Sequence, residues 1–171
     1  MMKILLSKMD DIDAIFKIYD DATAYQKTVT DKHWRGFERT LVEKEINENR
    51  HYKIMEEDEI GGTFLIAYNN PVIWEDMGAD NAIYLHRIAI KSSFRGRAYT
   101  KKIVTWAIDL ANDNKKSYVR LDTHSGNEKI NTYYKNCGFT YKGIRSIDWN
   151  KELPEHYKDG PFSIFELAII S

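Results

Sequence analysis

Residues 93–111, S-F-R-G-R-A-Y-T-K-K-I-V-T-W-A-I-D-L-A, come after an apolar-rich run at 83–90, I-Y-L-H-R-I-A-I. Within the longer stretch, Ile103, Ala107 and Leu110 recur at i, i+4, i+7, with Val104 and Ala111 beside them, the spacing of an amphipathic helix. The two runs read as strand, turn, helix. The turn holds Arg95, Gly96 and Arg97, and the first helical turn holds Lys101 and Lys102. Unpaired backbone N–H groups, a helix dipole and four cations thus converge on one point, which describes an anion site. A solvated basic helix start carries similar charges, but Lys91, Arg95, Arg97, Lys101 and Lys102 fall within twelve residues of a chain whose net charge is -1. The positive charge is local.

The 171 residues, 43% of them hydrophobic, suffice for one core and match a single domain, 1–171. Near-neutrality predicts no general attraction to nucleic acid or to a membrane surface. Cys137 is the only cysteine, which excludes an internal disulfide and a cysteine zinc cluster and suits a reducing compartment. Residues 1–10 lack a leader's apolar region and cleavage site, and no run nears the ~18 apolar residues that span a bilayer. A soluble cytoplasmic protein, monomer or homodimer, without a metal site, is the expectation.

Taken in order, 3–8 reads as a strand, and Asp10 or Asp11 caps a helix with Ile12, Ile15, Phe16, Tyr19 and Ala22 at helical spacing. A second helix is expected over 34–48. Two strands, 51–57 and 60–68, join at Asp58-Glu59, with Gly61-Gly62 marking a bend or bulge. Residues 72–81 read as a loop holding Trp74, Glu75, Asp76 and Asp80. After the central strand and helix come a strand at 118–123, a short helix, and closing strands at 139–149 and 162–170. The short helix has Asn127 or Ser125 as its cap, carries Ile130, Tyr133, Tyr134 and Cys137 on one face, and stops at Gly138. The order β-α-α-β-β-β-α-β-α-β-β is an α+β arrangement on one mixed, mostly antiparallel sheet flanked by helices.

Ile88-Ala89-Ile90 followed by Phe94-Arg95-Gly96-Arg97-Ala98-Tyr99-Thr100 resembles the acetyl-coenzyme A motif of the GNAT (GCN5-related) N-acetyltransferase superfamily, Q/R-x-x-G-x-G/A. Arg95 fits its first position, while Ala98 stands where Gly is usual and Thr100 where Gly or Ala is usual. The segment 127–139, N-E-K-I-N-T-Y-Y-K-N-C-G-F, is similar to the same family's N-x-x-A-x-x-x-Y-x-x-x-G-F, with Ile130 for Ala. The family order of elements is also the one read above.

The resemblance implies that Ile88, Ala89, Ile90, Arg95, Gly96, Arg97, Ala98, Tyr99, Thr100, Lys101, Asn127 and Tyr134 bind acetyl-CoA. It implies further that Asn127 bonds the pantetheine arm and that the Tyr134 hydroxyl meets the thiol sulfur. A phenol with a pKa near ~10 can protonate a departing thiolate, so Tyr134 is the expected catalytic acid. Helix capping, core packing and a C-cap would account for Asn127, the two tyrosines and Gly138 one at a time, but not for both family-like segments together. For deprotonating the amine, His86, His124 or water are open. The implied activity is N-acetyl transfer from acetyl-CoA to a primary amine of a small molecule or peptide, by direct attack in a ternary complex. The acceptor pocket is expected from 25–37, 72–80 and 151–161, with Glu75, Asp76 and Asp80 able to attract a cation. The alternative is a non-catalytic module on the same fold that binds acyl-CoA or a protein. Nucleotide, dinucleotide, zinc and nucleophile-elbow motifs are absent.

Overall fold

The computed structural model describes residues 1–74, 77–153 and 155–170. Its elements run β1 (Lys3–Leu6), α1 (Ile12–Val29), α2 (Arg39–Asn47), β2 (His51–Glu56), β3 (Glu59–Ala67), α3 (Pro71–Trp74), β4 (Ala82–Ile90), α4 (Tyr99–Asp113), β5 (Tyr118–His124), α5 (Glu128–Asn136), β6 (Thr140–Arg145) and β7 (Phe162–Ala168), with three short 3-10 turns. Among the described residues the strands lie in the order β1-β2-β3-β4-β5-β7-β6. The β4–β5 pair is parallel, whereas β1–β2, β2–β3, β5–β7 and β6–β7 are antiparallel. This is the expected α+β class with a mixed, mostly antiparallel sheet. By contacts the chain divides into two compact units.

The first unit comprises Met1–Ile66, Arg87–Tyr99 and Lys151–His156. Ile12, Ile15, Ile18, Tyr19 and Ala22 put the apolar stripe of α1 against Val42 and Ile46 of α2 and against Ala89. Each such aliphatic side chain contributes about 1.5–3 kcal/mol by leaving water. Helix α2 starts later than its periodicity suggests. Trp34 and Phe37 precede it in irregular chain and pack on the same cluster instead.

A polar chain runs through this core. Ser7 Oγ lies 2.7 Å from His51 Nδ1, and His51 Nε2 lies 2.8 Å from the Tyr19 hydroxyl. Arg87 donates to that hydroxyl at 3.4 Å and to both carboxylate oxygens of Glu45 at 2.7 and 3.0 Å. Burial and the Arg87 charge push the His51 pKa down to about 4, so the ring is neutral at pH 7 and its two nitrogens play donor and acceptor to the flanking hydroxyls. Burial works against the Arg87 cation, but Tyr19 and Glu45 more than offset it.

The β2–β3 hairpin turns at Glu57 and Asp58, whose φ values of 57° and 61° are those of the tight turn that matches strand twist. The expected bulge falls at Gly61, since Ile54 pairs with Gly62 and Met55 with Ile60. A Cβ on Gly61 would stand 2.8 Å from the Phe94 ring and 3.0 Å from Tyr99. The absence of a side chain there lets the loop after β4 lie on the hairpin.

The second unit comprises Ala67–His86, Thr100–Asn150 and Tyr157–Ser171. The stretch read as a loop over 72–81 contains the single-turn helix α3, because Pro71 suits a first helical position and the Trp74 N–H finds the Asn70 carbonyl at 3.1 Å. Arg120 of β5 fastens α3 and the residues just beyond it. It is bonded to Glu166 at 2.8 Å, to the Met77 and Gly78 carbonyls at 2.7 and 2.9 Å, and lies over the Trp74 ring at 4.3 Å. The central helix buries Ile103, Val104, Ala107 and Ala111, as its spacing requires, with Leu110 half-buried. β6 and β7 end at Arg145 and Ala168, short of the expected 149 and 170.

Gly61→Ala is expected to cost roughly 1–3 kcal/mol by overpacking against Phe94 and Tyr99. Urea denaturation followed by tryptophan fluorescence measures it.

Candidate active site

β4 is interrupted at its centre. Arg87 has a φ of 51°, a left-handed conformation inside an otherwise extended strand. Residues Ile88, Ala89 and Ile90 resume the strand beyond it, with Ala89 buried. The loop after β4 turns back through a 3-10 turn ending at Phe94 and reaches α4 at Tyr99.

Two loop residues have left-handed backbone. Gly96 has a φ of 84°, and no atom of the described residues lies within 4 Å of where its Cβ would be. Ala98 has a φ of 59°. The motif's usual Gly at this position therefore has a conformational reason, and alanine occupies the same conformation at a steric cost of about 1–2 kcal/mol.

The cations predicted to face an anion already have partners. Arg95 lies 3.3 Å from Asp21 and over the Tyr25 ring at 4.3 Å. Arg97 lies 3.4 Å from Glu56 and over the Phe94 ring at 4.4 Å, and Lys91 is paired with Glu59. Tyr99 donates to Glu56, and burial together with that carboxylate holds its phenol well above the usual range. Lys101 and Lys102 are exposed in the first turn of α4.

Of the predicted site residues, those from Ile88 through Tyr99 belong to the first unit, and Thr100, Lys101, Asn127 and Tyr134 to the second. In the second unit Asn127, not Ser125, caps α5, and its Oδ1 accepts the Ile130 N–H at 3.2 Å. The face that α5 buries differs from the expected one. Ile130 and Tyr133 are 38% and 39% exposed, Cys137 is half-buried, and Asn131 is the buried residue. So short a helix has room for only one inward row, and Asn131 with Tyr134, three apart, takes it. The Tyr134 ring packs edge-on to Phe139 at 6.0 Å and beside Phe165 at 5.6 Å. Burial, then the neighbouring Tyr133, Cys137 and Asp122, hold its phenol well above its ordinary pKa. Burial raises the Tyr133 phenol as well.

His86 stacks beside Tyr84 with ring centroids 6.4 Å apart, and His124 packs on Phe162 at 5.2 Å. Glu75, Asp76 and Pro154 of the expected pocket lie outside the described residues, and Asp80 is exposed.

Asp122 is not among the predicted site residues. Its Oδ1 is shut off from solvent without a hydrogen-bond partner among the described residues, and burial pushes the carboxyl up to about 7. A signal was present in Y-V-R-L-D, where Arg120 and Asp122 share a face of the strand and alternate with the apolar Val119 and Leu121. Arg120 finds Glu166, whereas Oδ1 of Asp122 has no such partner among the described residues.

The model of the acetyltransferase (GNAT) family matches residues 12–139. The chain belongs to the GNAT acetyltransferase family. The uncharacterized N-acetyltransferase YesJ of Bacillus subtilis (strain 168) is 28% identical over 71 residues, 42% of this chain and 39% of the relative's own length. A GNAT-family acetyltransferase structure from Listeria monocytogenes 4b F2365 superposes with a TM-score of 0.78 at 22% identity, covering 98% of this chain and 94% of that one. The structure of YncA from Salmonella typhimurium with its cofactor acetyl-CoA gives 0.69 at 14% identity, over 100% of this chain and 95% of that one. At these identities the structures establish a shared GNAT fold.

Two variants probe the backbone and burial of these GNAT segments. Ala98→Gly is expected to stabilise the protein by roughly 0.5–1 kcal/mol, since relief of left-handed alanine exceeds the entropy glycine adds to the unfolded chain. Chemical denaturation measures the gain. For Asp122 the folded pKa of about 7 lies above the ordinary value of 3.8, so its stabilising contribution is complete below the lower value and lost as pH rises through the upper one. Thermal melts should therefore show Asp122→Asn gaining on wild type as pH goes from 4 to 8.

Proposed function

We propose that the chain is one acetyltransferase domain that transfers acetyl from acetyl-CoA to a primary amine by direct attack in a ternary complex. The observation that carries this reading is Tyr134, a phenol kept protonated by its surroundings, on a helix capped by the motif residue Asn127. Family membership supports the activity, and the acetyl-CoA-bound YncA structure supports the cofactor.

The residues of the loop and of α5 suit this cofactor. The left-handed Gly96 leaves open space where any side chain would intrude, and Ala98 adds one methyl. Such consecutive turns aim backbone N–H groups at an anion, while the N-terminus of α4 adds its dipole. We assign the pyrophosphate to residues 95–101, with Lys101 as the cation that needs no rearrangement, and the pantetheine to the backbone of Ile88, Ala89 and Ile90. Arg95 and Arg97 must first give up Asp21 and Glu56, but part-exposed pairs of this kind are worth only ~0–1 kcal/mol each. Asn127 can both cap and bind, because an amide carries two N–H protons besides the oxygen that the cap uses.

Acetyl-CoA, when bound, supplies an activated acetyl group with a thiolate leaving group. Tyr134 holds the proton that the departing sulfur takes. A phenol above its usual range remains protonated throughout the neutral range, so the donor is always loaded.

The test is thiol release from acetyl-CoA with a panel of primary amines. Tyr134→Phe should lower turnover by roughly ten- to a thousandfold with acetyl-CoA affinity little changed, and Tyr133→Phe should stay near wild type. Saturable CoA binding without thiol release would favour the non-catalytic module. Equal, undiminished turnover in both variants would make Tyr134 a packing residue.

A further inference from the structure

We infer that Asp122 is the group that takes the proton from the acceptor amine, working from the sheet face opposite the one on which Tyr134 sits. The inference rests on the acetyltransferase reading above. Its first support is the register of β5 and β7. Residues directly opposite in an antiparallel pair share a face, and Leu121 is opposite Phe165 while Asp122 is opposite Ile164. The Tyr134 ring packs on Phe165, which places it on the Leu121 face. Asp122 lies on the other face, where Ile164 packs with Trp74 and Tyr84. The Asp122 charge contributes, after burial, Tyr133 and Cys137, to holding the Tyr134 phenol above its ordinary pKa.

The second support is the orphaned oxygen. A buried acceptor without a partner has given up water and gained nothing for it, and natural proteins keep such a group where it has a use. An incoming ammonium supplies the missing donor. Other ionisable groups on this face are Arg120 and His124 of β5, Glu166 of β7, and Tyr84 and His86 of β4; α5 brings Tyr134, Tyr133 and Cys137 from the other side. Arg120 is committed to Glu166, which also has Lys142 at 4.0 Å. Burial alone is what lifts Asp122 towards neutrality, where a carboxylate serves as a base at physiological pH.

In the reaction the primary ammonium gives one proton to Asp122, and the freed nitrogen lone pair forms the new N–C bond. The C–S bond breaks with its electron pair going to sulfur, which takes the Tyr134 proton. The second nitrogen proton restores the phenol. Asp122 then passes its proton to water, so the net products are amide, thiol and one released proton.

Two measurements test it. In the free protein, the Asp122 carboxyl carbon, assigned by its loss in Asp122→Asn, should titrate near 7 by NMR. A titration near the ordinary ~4 overturns the inference whatever the kinetics show. In the amine assay, wild-type kcat/KM should rise with pH through an acid limb near neutrality. Asp122→Asn should lose that limb and fall at least tenfold at pH 7, keep its acetyl-CoA KM within a few-fold, and recover towards wild type at pH 9–10 as the free amine becomes abundant. Asp122→Glu should restore part of the activity and the limb. An Asp122→Asn variant that melts like wild type and retains both limb and turnover overturns the base assignment while leaving the acetyltransferase reading intact. A wild type that releases no thiol with any amine overturns both.

Discussion

The bidentate ion pair between Arg87 and Glu45 holds the central strand in a conformation that it would not otherwise adopt. Arg87 has a left-handed φ of 51°, which costs an ordinary residue about 1–2 kcal/mol and is avoided inside strands. Its guanidinium is buried to 5% exposure, as is Glu45 to 3%, and it lies 4.2 Å over the Phe37 ring. Removing either partner strands a buried charge, a loss of about 3–5 kcal/mol, which exceeds the backbone cost. The strain is therefore retained. The next three residues are those to which we assign the pantetheine, so a core interaction between β4 and α2 fixes the path of a binding strand.

The same balance decides which features were legible in the sequence. Apolar spacing in 12–22 and 103–111 is a local property, and the helices appear where it puts them. So does the Gly61 bulge, although Phe94 and Tyr99, which supply its reason, belong to the loop after β4. Arg87 has no local signal, because its φ depends on Glu45, and that residue sits on a helix distant in sequence. Asp21 and Glu56 were invisible as partners of Arg95 and Arg97 for the same reason. Residues 72–81 looked like a loop because their order depends on Arg120 gripping two of their carbonyls. The site motifs were legible as types, whereas their electrostatic state was not, since burial and pairing are set by the fold.

Charge in the loop after β4 changes character once the partners are known. A cluster of free cations would attract anions without discrimination. Here Lys91, Arg95 and Arg97 are balanced by Glu59, Asp21 and Glu56, which leaves directional donors, backbone N–H groups and the dipole of α4, to distinguish a phosphate. In the proposed site the arginines then act as reserves, released to a dianionic ligand whose charge outcompetes a single carboxylate. That arrangement keeps the net charge of the loop low.

Desolvation acts in the same direction on Tyr134 of α5 and Asp122 of β5, and its chemical results differ. It raises a phenol that is already protonated at neutral pH, which only secures the proton. It raises a carboxylate that would otherwise be a weak base, and about 7 is where a base is both ionised often enough and basic enough to act. In the proposed reaction, burial on one sheet face thus keeps a donor loaded and burial on the other raises an acceptor. Asp122 and the Phe165 on which Tyr134 packs lie on opposite faces of the sheet, so in the reaction proposed above the first proton leaving the amine and the proton reaching the sulfur do not share a path.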